Sequence, residues 1–116
     1  MLFDMTGSER TTVRTQKAGR VVKSMDDINA SLGKLFNDQD EFVVLTLGKK
    51  EIKHGVQYIQ SAWNGKSLTL QAGVIENGKI RLVEKSISPF ECEGIYKKFF
   101  ETSEVDDLEN FTEVKF

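Results

Sequence analysis

Residue types that build catalytic and metal sites are scarce in this chain of 116 residues, which contains one cysteine and one histidine. Cys92 cannot form an internal disulfide, and its place in an apolar helical pattern favours a buried, unreactive thiol. His54 has no cysteine or second histidine beside it, which favours a solvated side chain over a metal ligand. A glycine-rich phosphate loop and a nucleophile elbow are also missing. These absences predict a protein that is not an enzyme and uses no metal or cofactor.

Long hydrophobic runs are missing as well. No apolar stretch approaches the ~20 residues that a membrane helix needs, so we expect no membrane partner. Residues 1–7 lack the basic start and long apolar core of a secretory signal, which favours a cytoplasmic location. With 39% hydrophobic and 29% charged residues, the chain has the composition of a folded protein. Its length fits a single domain, residues 1–116, of which residues 1–23 are the least clearly patterned.

The charge is unevenly distributed although the net charge is only −2. Residues 1–23 carry five basic and two acidic side chains, whereas residues 101–116 carry six acidic side chains and one lysine. An acidic end attracts a basic protein and repels nucleic acid, although a merely solvated surface is the simpler interpretation. Lysines on the predicted strands, with Tyr58 or Trp63 as stacking surfaces, leave nucleic-acid binding as an alternative. A pI near 5.5 argues against direct contact with nucleic acid.

The most strongly patterned stretch is residues 67–87, which predicts a β-hairpin. Asn77-Gly78 separates two apolar-rich runs, and this dipeptide suits a two-residue type I′ turn because both residues tolerate positive φ. In the second run, Val83 and Ile87 have the opposite parity to Ile80 and Leu82, which predicts either a bulge near Leu82 or partial cover of the second face. The residues expected to point into the core are Leu68, Leu70, Ala72, Val74, Ile80 and Leu82.

Two amphipathic helices are predicted. Apolar residues at helical spacing indicate a helix over residues 25–37, preceded by Ser24 as its N-cap. The second helix has the clearer start, because Ser88 and Glu91 form a capping-box pair and Pro89 occupies the first helical position. Its expected core-facing stripe is Cys92, Ile95, Tyr96, Phe99 and Phe100.

The remaining patterns predict strands. An edge strand is expected at residues 11–16, a central strand covered on both faces at 42–47, and a further strand at 56–63. A last strand is expected to begin near Phe111 and to bury Val114 and Phe116. The fold class is therefore α+β, with an antiparallel meander around the 67–87 hairpin, two packed helices and the order β-α-β-β-β-β-α-β.

This order resembles that of small cytosolic immunity proteins, which accompany bacterial polymorphic toxins, including contact-dependent growth inhibition systems. The resemblance covers residues 24–116 and lies in the run from Glu41 to Leu45, the Tyr58 to Trp63 strand, the Asn-Gly hairpin and the stretch from Ser88 to Phe100. Such proteins bind and neutralise the C-terminal toxin domain made by their own operon, often a basic nuclease. The resemblance implies a non-catalytic toxin inhibitor whose partner is that cognate toxin domain.

Two acidic segments are the candidate partner-binding sites, because their carboxylates would complement a basic nuclease surface and stand in for substrate phosphates. These residues are Asp38, Asp40, Glu41, Glu104, Asp106, Asp107 and Glu109. A small ligand-binding or regulatory subunit of a metabolic complex is the alternative function. The sequence leaves the oligomeric state open.

Overall fold

Seven antiparallel strands form one sheet in the computed structural model, which describes residues 9–114. The spatial order is β2-β1-β3-β4-β5-β6-β7, so that β3 to β6 form a meander and β3 also pairs with β1. The strands are β1 Thr12–Thr15, β2 Gly19–Val21, β3 Phe42–Thr46, β4 Val56–Asn64, β5 Ser67–Glu76, β6 Lys79–Ile87 and β7 Thr112–Glu113. The predicted α+β class and antiparallel meander are confirmed.

Two helices complete the fold, and both begin where the sequence predicts. Helix α1, Met25–Asn37, connects β2 to β3, and α2, Pro89–Thr102, follows β6. Ser24 and Ser88 cap them through their side-chain oxygens, and each helix has a full capping box. These caps satisfy backbone donors that have no partner within the helix, so the helix starts are fixed by local sequence.

The 67–87 hairpin has the predicted turn. Asn77 has φ 53° and Gly78 has φ 78°, the two positive values that a type I′ turn requires. Pairing runs without a register shift from Glu76 opposite Lys79 to Leu68 opposite Ile87. The turn therefore sets the register between β5 and β6.

The predicted inward face of β6 is wrong. Ile80 is 42% exposed and Leu82 is only half-buried, whereas Val83 and Ile87 are buried. The two-residue turn places Val83 opposite Ala72, which makes Val83 the core residue, and no bulge occurs near Leu82. The irregularity lies instead in β4, where the register shifts between Val56 and Tyr58.

Both helices cover the same face of the sheet. The indole Nε1 of Trp63 on β4 donates to the carbonyl of Leu35 on α1 at 2.7 Å. Two residues earlier, and hence on the same face of β4, Ser61 lies 2.9 Å from the hydroxyl of Tyr96 on α2. We call this the helix face. We call the opposite face of the sheet the open face. Phe42, Val44 and Tyr58 are only half-buried on it, so β3 is less covered on this face than the sequence predicts.

The two ends of the sheet also differ from expectation. Strand β1 is not at the edge, because β2 folds back on it and takes the edge position. At the other edge, β7 has two residues and pairs with β6 at Val83 and Glu84. Phe111 and Val114 are half-buried, and the predicted burial of Phe116 concerns a residue outside the described range. Neither helix of residues 9–114 is long and apolar enough to cross a bilayer.

Truncation of one core residue and one open-face residue of the hairpin tests this assignment of faces. Leu70→Ala should lower the free energy of unfolding by about 2–5 kcal/mol, because Leu70 is 0% exposed. Ile80→Ala is the matched control and should cost less than about 1 kcal/mol. Urea denaturation followed by circular dichroism measures both values. Equal costs for the two variants would contradict the assignment.

Candidate functional site

The C-terminal carboxylates lie on a turn that is anchored to the core. Ser103 ends α2 in the left-handed conformation, with φ 66°, and its hydroxyl donates to the carbonyl of Glu51. Val105 is 6% exposed and packs into the core, while Asp107 is again left-handed with φ 59°. A short 3-10 turn, Leu108–Asn110, follows. We call residues 104–109 the acidic turn. Its carboxylates are presented on an ordered support.

Lys98 of α2 organises two of these carboxylates. Its Nζ donates to Asp106 Oδ1 at 2.6 Å and lies 3.5 Å from Glu104 Oε1. The hydrogen bond to Asp106 raises the pKa of Lys98 above its ordinary value. All three side chains are exposed to water, so these pairs orient the acidic turn more than they stabilise the fold. Asp107 and Glu109 form no ion pair with any described residue.

A groove of about 890 Å³ runs between the acidic turn and the outer side of α2. Its apolar lining includes Met25 of α1, Phe90 and Ile95 of α2, and Phe111. Phe90 is 87% exposed, the highest value among the large apolar residues that stand out as exposed. The capping box explains this position. It fixes the helix phase that buries Cys92, and a residue two positions earlier then faces away from the core.

Carboxylates outnumber cations around this groove, which we call the acidic groove. Its charged lining consists of the lysines Lys85, Lys97 and Lys98 and the carboxylates Glu91, Glu93, Glu104, Asp106 and Asp107. Hydrogen bonds from the backbone and hydroxyl of Ser88 lower the pKa of Glu91, which keeps that carboxylate ionised at neutral pH. The groove therefore combines an exposed aromatic ring with an excess of negative charge.

The other predicted acidic segment, residues 38–41, lies away from the acidic groove, and one of its residues has a structural role. Glu41 is 6% exposed, and its carboxylate accepts hydrogen bonds from the backbone of Gln16 at 2.7 Å and of Phe42 at 3.0 Å. Glu41 therefore offers a partner little accessible surface, and its carboxylate holds backbone groups of this chain. Asp38 accepts from the backbone of Asp40 at 2.9 Å, and both residues remain exposed.

The two acidic segments do not form one surface. Asp38 and Asp40 precede the first residue of β3, whereas Ser103, which leads into the acidic turn, bonds to Glu51 beyond the last residue of β3. A strand of five residues separates these points by about 15 Å. The structure thus brings Glu104, Asp106, Asp107 and Glu109 together and leaves Asp38 and Asp40 apart.

The lysines raised by the nucleic-acid alternative are also dispersed. Lys66 lies in the turn before β5, Lys79 is the first residue of β6, near the other end of β5, and the basic residue Arg81 pairs with Glu76 and Glu113. Lys85 lies 6.0 Å from the ring centroid of Phe111, on the helix side of the sheet. The two aromatic residues suggested for stacking point to opposite faces of β4, because Trp63 reaches α1 while Tyr58 covers Gly73 on the open face.

A tyrosine, a serine and a cysteine, residue types that often act in catalysis, are buried in the core of this protein. Tyr96 Oη lies 3.1 Å from the carbonyl of Val43 and 2.9 Å from Ser61 Oγ, and Cys92 Sγ donates to Ser61 at 3.7 Å. Burial raises the pKa of Cys92 to about 12, so the nucleophilic thiolate is not populated at neutral pH. Within residues 9–114, no three histidine, cysteine or acidic side chains are placed to share a metal ion.

Comparisons with known proteins give no assignment. No protein-family model, curated protein or solved structure matches this chain. The function is therefore argued from the acidic groove and the two faces of the sheet. Sequence reasoning missed Phe90 as a site residue, although its offset from the Cys92, Tyr96 and Phe99 stripe was the available signal.

The inert state of Cys92 can be tested by thiol labelling. Ellman's reagent should react slowly with the native protein near pH 8, at a rate limited by opening of the core, and stoichiometrically in urea. The control is a surface thiol, made by Ser86→Cys in a Cys92→Ala background, which should react at once because Ser86 is exposed. Rapid labelling of native Cys92 would contradict the buried network.

Proposed function

We propose that this protein is an immunity protein that binds and neutralises a basic toxin domain, with the acidic groove as its binding surface. The observation that carries the proposal is Phe90, 87% exposed at a groove lined by five carboxylates and three lysines. An exposed aromatic residue is the kind of side chain that dominates binding energy at protein interfaces. A surrounding excess of carboxylates selects a partner of positive charge and speeds its association.

The rigidity of the acidic groove supports this proposal. Helix α2 is held by its capping box at one end and by the Ser103 to Glu51 hydrogen bond at the other. The acidic turn is anchored by buried Val105 and by half-buried Leu108 and Phe111, which pack against the core. A surface that is already ordered loses little conformational entropy on binding, which favours the tight inhibition that neutralisation of a toxin requires.

The charge pattern supports a nuclease as the partner. A nuclease binds phosphates through basic residues, and carboxylates spaced along a turn can occupy the same positions as those phosphates. Asp107 and Glu109 are suited to this role, because both are exposed and neither is paired with a described cation. Lys98, by contrast, neutralises part of the charge of Asp106 and Glu104. The contacts to the toxin are therefore assigned first to Phe90, Asp107 and Glu109.

The first experiment asks whether the partner exists. The C-terminal domain encoded immediately upstream of this chain should be produced as a catalytically inactive variant and mixed with the protein. We expect a stoichiometric complex by size-exclusion chromatography and calorimetry, together with loss of toxicity when the active domain and this chain are co-expressed. A neighbouring domain that does not bind, or whose toxicity this chain does not relieve, contradicts the proposal.

The second experiment tests the surface. Phe90→Ala should weaken the complex by at least about thirtyfold, the effect of removing a hot-spot side chain, without loss of fold stability because Phe90 is exposed. Asp107→Asn combined with Glu109→Gln should slow association and reduce its salt dependence. Asparagine is chosen at position 107 because it tolerates the left-handed conformation.

Matched controls lie away from the acidic groove. Asp38→Asn with Asp40→Asn removes the same number of charges from the other acidic segment, and Ile80→Ala removes an exposed apolar side chain from the open face. Both controls should leave affinity unchanged. A complex that is insensitive to Phe90→Ala and to the Asp107 and Glu109 pair, but weakened by either control, would place the interface elsewhere.

A further inference from the structure

The open face of the sheet carries a row of side chains that hydrogen-bond to one another. Val44, Gln60, Gln71 and Glu84 are directly opposite one another on β3, β4, β5 and β6. Gln60 Nε2 donates to Gln71 Oε1, and Gln71 Nε2 donates to Glu84 Oε1 at 3.0 Å. We call these three polar residues the amide ladder. All three are half-buried.

The carboxylate of Glu84 determines the orientation of both amides. A carboxylate only accepts, so Gln71 must turn its NH₂ group towards Glu84 and its oxygen towards Gln60. Gln60 must then donate to that oxygen. This arrangement leaves Gln60 Oε1 and the second oxygen of Glu84 as acceptors. The amide ladder therefore presents acceptors to an incoming ligand at both of its ends.

The amide ladder lines a groove of about 490 Å³, which is within the range of small-molecule sites. Small residues in the neighbouring row, Ala62 and Thr69, leave room beside Gln60 and Gln71, and Phe42 stands next to them on β3. Glu84 is the one carboxylate in the lining, and no lysine or arginine of residues 9–114 forms an ion pair with it. A half-buried negative charge in a groove is thus left without a cation.

We propose that this open-face groove binds a small organic cation bearing a guanidinium or primary ammonium group. Such a group supplies several N–H donors and no acceptor, which matches the free oxygen of Glu84. Its positive charge compensates Glu84 through a charge-assisted hydrogen bond. Glu84 is assigned as the counter-ion, and Gln60 and Gln71 as the residues that position it.

This binding site is independent of the toxin-binding proposal. The acidic groove lies along α2 and the acidic turn, whereas the amide ladder is on the face of the sheet that the helices leave open. Either site can fail without the other. A ligand at the open face would give the protein a small-molecule function in addition to binding of a protein partner.

The experiment uses agmatine as the probe, because it carries both a guanidinium and an ammonium group. Titration of ¹⁵N-labelled protein at millimolar concentrations should shift the side-chain NH₂ resonances of Gln60 and Gln71 in a saturable manner. Butylurea, a neutral analogue with a similar planar head, should cause no saturable shift. Equal shifts with both compounds, or no shift with agmatine, would overturn the proposal.

Glu84→Gln is the decisive variant, because a glutamine can still accept from Gln71 while the charge is removed. Agmatine should bind to it at least about tenfold more weakly, the loss expected from one hydrogen bond to a charged group. Glu109→Gln removes a charge from the other surface and should bind as wild type does. Unchanged affinity of Glu84→Gln, with an intact fold by circular dichroism, would exclude Glu84 as the counter-ion.

A third probe separates a free cation from a protein side chain. N-acetyl-arginine N-methylamide carries the same guanidinium between two peptide groups. The proposal expects agmatine to bind at least as tightly, since the groove has the volume of a small-molecule site and Glu84 is its one carboxylate. Shifts with the arginine derivative alone would overturn the small-molecule assignment and identify the groove as a receptor for a protein arginine.

Discussion

The position of α2 depends on the hydroxyl of Tyr96. This side chain is 0% exposed, and its hydroxyl reaches the carbonyl of Val43 on β3 and Ser61 on β4, the two strands at the middle of the sheet. A buried hydroxyl without a partner would cost about 1–3 kcal/mol, so positions of α2 that satisfy this contact are favoured. The phenol has one hydrogen. The phenol donates this hydrogen to the carbonyl of Val43, and Ser61 Oγ makes the second contact with the phenol oxygen. Cys92 Sγ in turn donates to Ser61 Oγ.

The position of α2 determines which of its residues are exposed to solvent. With Tyr96 pinned and Cys92 and Phe99 buried on the same stripe, Phe90 and Glu93 face outward and Ile95 is half-buried at the margin. Helix α2 then ends at Ser103, whose hydrogen bond to Glu51 turns the chain and presents the carboxylates beside the outward side of α2. The acidic groove therefore follows from how the core is packed.

Much of the fold was predictable because its signals are local. The Ser88 and Glu91 box and the Asn77-Gly78 turn act within four residues, and both have the expected geometry. The turn also determines which residues of β6 face the core, and the sequence prediction did not apply this constraint. A two-residue turn makes paired positions sum to a constant, so Val83 had to face the core with Ala72, and Ile80 had to pair with Ile75 on the other face. Glu41 was not predictable in this way, because its burial depends on a backbone donor of Gln16, 25 residues away.

The two proposed sites are supported by the same strand. On β4, Gln60 points to the open face and joins the amide ladder, while the next residue, Ser61, points to the helix face and holds Tyr96. Because Gln60 and Ser61 lie in the part of β4 that pairs with both β3 and β5, neither residue can shift without disturbing the other. The sheet thus fixes both surfaces at once and keeps them apart. A change of net charge on the acidic turn therefore acts on the helix side of the molecule, and the charge of Glu84 acts within the open-face groove.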